Sequence, residues 1–377
     1  MTIIIDDNKI EKIRKLTEDA INLCYQCGTC TAECPWGYVK TEGLGMRHII
    51  RRAQLGLDIS PDELWRCTTC SACEIKCPRG VQITKIVTLL RDFAVKNRKT
   101  LPNINSILWS IYWTRNTFQR SQKERASWAK GLNIPTFTGK EEILLYVGCT
   151  FSYEQRAQKV ARSLVKILQS INVSFGILYE NEQCCGDTPK NIGSKGLFEE
   201  FAKENIKLFG KSKVLVISPH CYDVFKNDYP RYGAEFTPIH YTQYLSELIE
   251  NGRIKLKKFP VKVTYHDPCY LVRRNNIYEE PRYILLSIPE LKLIEMQDNK
   301  ENTICCGGGG GRMWLETKPE ERFSNIRIKQ ALETGAEILA TSCPYCITNF
   351  EDSAKTIAPK LQVKDIIELV EVSLDLM

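Results

Sequence analysis

The chain has 377 residues, 43% of them hydrophobic, with 52 Lys and Arg against 45 Asp and Glu for a formal net charge of +7. That length suits about two or three domains with apolar cores. No apolar run approaches the ~20 residues of a membrane span, no basic motif points to nucleic acid, and the start Met1-Thr-Ile-Ile-Ile-Asp-Asp has no secretory pattern, so a cytoplasmic protein is expected.

All 17 cysteines fall into four compact sets. The first two are Cys24, Cys27, Cys30, Cys34 and Cys67, Cys70, Cys73, Cys77, each a Cys-x2-Cys-x2-Cys-x3-Cys run followed by Pro35 or Pro78. This is the spacing of a protein with two [4Fe–4S] cubanes. Three cysteines two residues apart wrap one cluster, and the fourth reaches its neighbour. The expected ligand sets are therefore Cys24, Cys27, Cys30 and Cys77 for one cubane, and Cys67, Cys70, Cys73 and Cys34 for the other. Structural zinc commonly uses two separated Cys-x2-Cys pairs and fits this spacing poorly, and disulfides need an oxidising compartment. Between the sets, Leu44, Met46, Ile49, Ile50 and Ala53 recur at helical spacing, and Val87, Leu90 and Ala94 do so after them. Residues 1–100 thus read as an α-helical domain around two clusters, similar to the α-helical ferredoxin domains of multi-subunit respiratory and methanogenic enzymes.

Residues 101–140 read as a helical connector rich in Trp and Arg, namely Trp109, Trp113, Trp128, Arg115, Arg120 and Arg125. Its tryptophans are expected to pack on the following domain; the alternative is a docking surface. From 141 onward the sequence repeats itself. The apolar run Ile143–Val147 leads to Cys149, and Val261–Tyr265 leads to Cys269. Then 34 residues precede Cys184-Cys185-Gly186 and 35 precede Cys305-Cys306-Gly307, while a further 35 precede Cys221 and 36 precede Cys343. This is a duplicated domain, with one repeat over 141–255 and the other over 256–377. The apolar runs alternate with amphipathic stretches at Ala157–Leu168, Phe198–Phe209 and Ile326–Leu332. They predict two α/β units with short, mostly parallel sheets. Most of the cysteines then fall where strands end, the edge at which open α/β sheets bind ligands.

The Cys … Cys-Cys-Gly … Cys-x2-Cys arrangement, present twice after two ferredoxin motifs, resembles the cysteine-rich domain of heterodisulfide reductases. It is similar also to iron–sulfur subunits of glycolate, lactate and anaerobic glycerol-3-phosphate dehydrogenases. The resemblance implies that Cys269, Cys305, Cys306, Cys343 and Cys346 hold a non-cubane [4Fe–4S] cluster that cleaves a disulfide in one-electron steps. Electrons would come from a flavoprotein partner and cross the two cubanes to reach it. The first repeat departs from the pattern, with Val224 where a fifth cysteine would fall. Its four thiols, Cys149, Cys184, Cys185 and Cys221, could hold a further iron–sulfur cluster, a tetrahedral zinc, or nothing functional.

Other residues admit bland readings. The run Gly307–Gly311 follows a cysteine pair, which suits close backbone approach to a cluster better than a nucleotide site. His220 and His266 precede ligand cysteines and read first as structural groups, with hydrogen bonding to cluster sulfur as the alternative. Arg273, Arg274 and Arg312 could neutralise an anionic substrate or the cluster itself. Two functions follow. One is the disulfide-reducing subunit of a soluble complex, acting on a small-molecule or protein disulfide. The other is an electron-transfer subunit between a flavin dehydrogenase and a quinone, held at the inner face of the membrane through a membrane cytochrome or quinone-reactive partner.

Overall fold

The computed structural model describes residues 5–39 and 45–376, so Leu44 and Met1–Ile4 lie outside the described residues. The chain divides into two units. The first joins residues up to 108 with two later segments, Thr188–Lys195 and Gly307–Phe323. The second holds Trp109–Asp187, Gly196–Cys306 and Ser324–Met377.

The first unit is helical. Helix Met46–Gln54 buries Met46, Ile49, Ile50 and Ala53, leaving Arg47, His48 and Arg51 on its outer face. Helix Pro61–Arg66 starts on a capping box in which Ser60 and Glu63 satisfy each other's backbone N–H groups. Helix Ile83–Lys96 buries Ile83, Ile86, Val87, Leu90 and Ala94. Each cysteine motif winds a single helical turn, Thr29–Ala32 or Ala72–Ile75, entered through a left-handed residue, Gly28 (φ 91°) or Ser71 (φ 59°).

One side chain, Arg91, bonds both later segments to this unit. Arg91 is wholly buried. It donates to Leu64 O at 3.0 and 2.6 Å, to Cys67 O at 2.7 Å, to Asn191 O at 2.8 Å and to Gly310 O at 3.1 Å. The glycine run follows the same logic. A Cβ on Gly309 would stand 2.3 Å from Thr68 O, and one on Gly310 (φ +63°) 2.3 Å from Cys67 O. Close approach is therefore real, and the partner is the backbone of the second ferredoxin-type motif.

The second unit contains two sheets of identical order. Strands β1 (Ile143–Tyr146), β2 (Phe175–Gly176), β3 (Lys213–Val216) and β4 (Thr237–His240) line up as β2-β1-β3-β4. Strands β5 (Lys262–Tyr265), β6 (Lys292–Leu293), β7 (Ile338–Thr341) and β8 (Gln362–Asp365) repeat it as β6-β5-β7-β8. Every pairing is parallel, with Leu145 beside Leu215 in one sheet and Thr264 beside Leu339 in the other. The central strands read Ile-Leu-Leu-Tyr and Ile-Leu-Ala-Thr and are buried throughout, as sheets covered on both faces require. Helices Gln155–Ser170, Lys195–Phe209 and Phe323–Glu333 contain the three amphipathic stretches expected from the sequence. One apolar core runs through both repeats, from Ile143 and Val165 to Val263 and Ile367. Arg156 of the first repeat pairs with Glu368 of the second at 2.7 Å. The last strand of each sheet ends on the residue that caps the next helix, His240 in one and Asp365 in the other.

The connector corrects an expectation. Trp128 is buried in the core, but Trp109 and Trp113 are 61% and 72% exposed. Helix Pro102–Thr114 buries Ile104, Ile107 and Ile111, spaced along one face, and that register turns Trp109, Tyr112 and Trp113 outward. Among the described residues, no helix is long and apolar enough to cross a membrane.

Candidate functional site

The ferredoxin-type cysteines gather by space rather than by motif. Cys24, Cys27, Cys30 and Cys77 line one cavity together with Arg47 and Arg79. Cys34 stands in the field of Cys70 and Cys67, and burial pushes its thiol up. Backbone N–H groups already aim at sulfur: Thr69 N donates to Cys67 Sγ at 3.4 Å and Val81 N to Cys77 Sγ at 3.4 Å. Such donors stabilise thiolate and tune a cluster's potential. The Cys67 thiol is raised by burial, with the Arg91 guanidinium pulling the other way.

In the first repeat the four cysteines follow the carboxyl ends of β1 and β3 and the loop after β2, around the point where the strand order reverses. Each thiol reaches the next: Cys149 to Cys184, Cys184 to Cys185, and Cys185 to Cys221. Gly148 has φ +81°, and a Cβ there would stand 3.2 Å from Cys221 Sγ. The turn carrying Cys149 is clamped by Glu182, which accepts from Val147 N and Gly148 N, both at 2.9 Å. Glu182 in turn pairs with Arg125 at 2.8 Å, with both side chains almost fully buried. The Arg125 guanidinium continues to Cys149 Sγ at 3.6 Å. A buried cation is costly unless negative charge surrounds it, and here a carboxylate and a thiol do. Val224, where a fifth cysteine was expected, lies in an apolar cluster with Phe225 and Leu271; the matching helices Pro219–Asn227 and Pro344–Ile357 align Cys221 with Cys346, so it is Ser218, at the N-cap, that stands where the second repeat has Cys343.

In the second repeat all five thiols are buried, and Cys346 Sγ lies 3.2 Å from Cys306 Sγ. The first repeat contributes to this set. His220 Nδ1 lies 3.1 Å from Asp187 Oδ2, and the ring sits between Tyr270 and Tyr345, with centroids at 3.9 and 4.7 Å. Each tyrosine neighbours a cysteine of the second repeat, and the imidazole reaches the Cys343 thiol itself. Burial works against a charged His220, but the Asp187 carboxylate and Cys343 together raise it well above the ordinary value.

The remaining sequence candidates separate. Buried His266 accepts from Arg327 Nε at 3.2 Å. Burial first and Arg327 second hold it well below the ordinary value, so it stays neutral. His266 Nε2 and Arg327 Nη2 have no hydrogen-bond partner, and the Arg327 guanidinium stands in the field of Cys346. Arg273 bonds the backbone of Glu301 and Thr303. Arg274 pairs with Asp223 at 3.1 Å and covers the Tyr270 ring. Arg312 stacks on Trp36 and donates to Thr317 Oγ1 at 2.6 Å, among first-unit residues. Sequence reasoning passed over Glu182, Asp187, Tyr270, Tyr345 and Arg327; only adjacency to the cysteine sets pointed at the first four.

Soft thiolates in sets of four or five suit iron–sulfur clusters, which take one terminal thiolate per iron in a cubane. Among the described residues, no group of three or more His, Cys, Asp or Glu is arranged to hold a single metal ion.

Comparison with known proteins agrees. A 4Fe-4S dicluster domain matches residues 23–82, and a cysteine-rich domain matches twice, over 143–226 and 263–351. The chain is 39% identical to a probable iron-sulfur-binding oxidoreductase FadF of Bacillus subtilis, covering 84% of this chain and 47% of that protein. It is 34% identical to an EtfAB:quinone oxidoreductase of Syntrophomonas wolfei, covering 79% and 44%. The chain thus spans about half the length of these two relatives. A Helicobacter pylori hypothetical protein of known structure shares the fold, with a TM-score of 0.55 at 10% identity over 98% of this chain and 73% of that one. A dihydromethanophenazine:CoB–CoM heterodisulfide reductase polypeptide of Methanosarcina barkeri is 30% identical, and the match covers 99% of this chain and 98% of the relative. Two ferredoxin-type motifs, a duplicated cysteine-rich domain and this end-to-end match place the chain in the heterodisulfide reductase family of iron–sulfur oxidoreductases.

Proposed function

We propose that this chain is the disulfide-reducing iron–sulfur subunit of a heterodisulfide reductase-like complex, receiving electrons from a flavoprotein partner. In this reading Cys24, Cys27, Cys30 and Cys77 hold one cubane, and Cys67, Cys70, Cys73 and Cys34 hold another. Cys269, Cys305, Cys306, Cys343 and Cys346 hold a non-cubane [4Fe–4S] cluster, and Cys149, Cys184, Cys185 and Cys221 hold a further one. Bound there, the clusters supply one-electron carriage and, at the five-cysteine set, a centre for disulfide cleavage.

The observation that carries the reading is the second repeat's complete set of five buried thiols, backed by a histidine that reaches Cys343. Asp187 orients that imidazole, and Tyr270 and Tyr345 fix its plane. Buried Arg327 places positive charge near Cys346, where thiolates accumulate. Arg125, held in place by Glu182, does the same for Cys149.

A second reading, electron relay from a flavin dehydrogenase to a quinone, draws support from the likeness to the EtfAB:quinone oxidoreductase and from the first repeat's incomplete, four-cysteine set. Anoxically reconstituted protein separates the two. The first reading expects more than about eight irons per chain, the content of two cubanes. It also expects thiol release from CoB–CoM heterodisulfide or another physiological disulfide with reduced methyl viologen as donor. Eight irons with stoichiometric zinc and no thiol release would overturn it. Brisk transfer from an electron-transferring flavoprotein to a quinone analogue, without thiol release, would decide for relay.

A further inference from the structure

Cys27 is the one exposed cysteine of the seventeen. The surface around it has two components. Leu23, Tyr25 and Ile75 form an apolar part, 45%, 60% and 41% exposed, and Tyr25 lines the same cavity as Cys27. The other part is basic. Arg47 and Arg79 line the cavity that holds Cys24, Cys27, Cys30 and Cys77. Arg47, His48 and Arg51, adjacent on the outer face of helix Met46–Gln54, line a neighbouring open hollow of about 490 Å³. Among the described residues no Asp or Glu lines either space. Exposed apolar side chains beside clustered positive charge make a poor solvent face but a good transient contact. Weak electron-transfer interfaces are small, and complementary charge sets their encounter rate.

We infer that this face is the docking surface for an acidic redox protein, one whose flavin or iron–sulfur centre is ringed by Asp and Glu. The inference rests on the cubane reading of Cys24, Cys27, Cys30 and Cys77. The exchange is a single electron: the partner's centre is oxidised, the chain is reduced, and no bond or proton moves. The carboxylates of the partner meet Arg47, Arg51 and Arg79, while its apolar rim covers Tyr25 and Ile75. Exposure of Cys27 then matters because transfer needs the two centres close. The other eligible thiols of the first unit, Cys34, Cys67, Cys70 and Cys73, are buried.

The test is stopped-flow reduction of the reconstituted full chain by two donors, a reduced acidic ferredoxin and the small cation methyl viologen radical. With ferredoxin, the wild-type bimolecular rate should fall at least about tenfold between 0.01 and 0.5 M salt, because screening removes the steering. The Arg47→Glu/Arg51→Glu variant should lose about tenfold or more at low salt and become insensitive to salt. An Arg51→Glu variant, which leaves the lining of the cysteine cavity untouched, should lose several-fold with ferredoxin while its reduction by viologen stays within about twofold of wild type. Reversal of two exposed lysines elsewhere, Lys211→Glu/Lys258→Glu, should change little. If the glutamate variant fails to take up iron, Arg47→Gln/Arg51→Gln decides, with a smaller loss in the same direction. A salt-independent wild-type rate, an unaffected arginine variant, or an equal loss in the lysine control would overturn the docking surface. A wild-type chain that holds no iron at this motif strikes the cubane reading instead.

Discussion

The two cysteine-rich repeats share strand order, register and cysteine spacing, yet they treat their sites differently. In the first, a buried Arg125–Glu182 pair clamps the turn that carries Cys149 and touches its sulfur. In the second, the matching turn is held by Asp267, which receives two bonds from Arg282 at 2.7 and 2.9 Å, and that arginine turns on to Glu295 rather than to a thiol. Cys221 and Cys346 each stand two residues after the proline that opens their helix, but where the second repeat has Cys343 at the N-cap, the first has Ser218. The first repeat instead sends His220 and Asp187 to the cysteines of the second. Duplication preserved the scaffold, while a few positions divided the chemistry.

The comparison breaks most visibly through single cysteines. Cys306→Ala should lower viologen-driven thiol release on the order of 100-fold or more, as loss of a member of a unit does, with the ferredoxin-type clusters intact by spectroscopy. Cys221→Ala should cost far less. The reverse ranking would mean that the chemistry sits in the first repeat. Next come the clamps. Arg125→Met strands a buried Glu182 and should cost about 3–5 kcal/mol, as breaking a buried pair does, read as a fall in the urea midpoint. Arg282→Met should cost a similar amount, but only the Arg125 change should also lower iron bound at the first repeat. Equal iron in both variants would deny Arg125 its role beside Cys149.

Ser218→Cys sharpens the contrast, because Ser218 and Cys343 are the N-caps of matching helices. Serine and cysteine are close in size, so stability should fall by less than about 1.5 kcal/mol. The added thiol should alter the paramagnetic spectrum of the first-repeat site; an unchanged spectrum would mean that Ser218 does not stand where Cys343 does. The smallest effect concerns the caps at the ends of β4 and β8. Burial lowers His240 to about 3 and raises Asp365 to about 7, so both are kept neutral in the folded state. The signs are opposite. Asp365 binds its proton more tightly when folded, so its contribution is full below about pH 4 and is lost as pH rises to about 7. His240 binds less tightly when folded, so its contribution is full above about pH 6.5 and is lost as pH falls toward 3. Asp365→Asn should flatten the loss of Tm as pH rises from about 4 to about 7, and His240→Asn the loss as pH falls from about 6.5 toward 3. A pH profile unmoved by both changes would contradict the burial argument.

The duplication was legible because cysteines recur at fixed distances after apolar runs, and a run such as Ile143–Val147 can hardly be other than a buried strand. The sheets proved entirely parallel. What escaped was long-range. Arg125 and Glu182 are 57 residues apart and Asp187 and His220 are 33 apart, so no local pattern joins them. The connector tryptophans misled because their size suggested burial, whereas Ile104, Ile107 and Ile111 decide which face of the helix turns inward. Gly307–Gly311 was readable as close approach, but the residues approached, Cys67 and Thr68, lie some 240 positions earlier in the chain.

The bond from Arg91 to Gly310 spans 219 residues, and it has a consequence for biosynthesis. The first eight cysteines leave the ribosome well before the last wall of their housing exists. At about 5–20 residues per second the interval is on the order of 10–40 s. During it the nascent thiols stand in an unfinished shell, open to oxidation and to stray metal. Enclosure of these eight thiols is therefore a late event, timed by the last fifth of the chain, and a shortened chain ending before residue 307 would offer the assembly machinery the ligands without the enclosure.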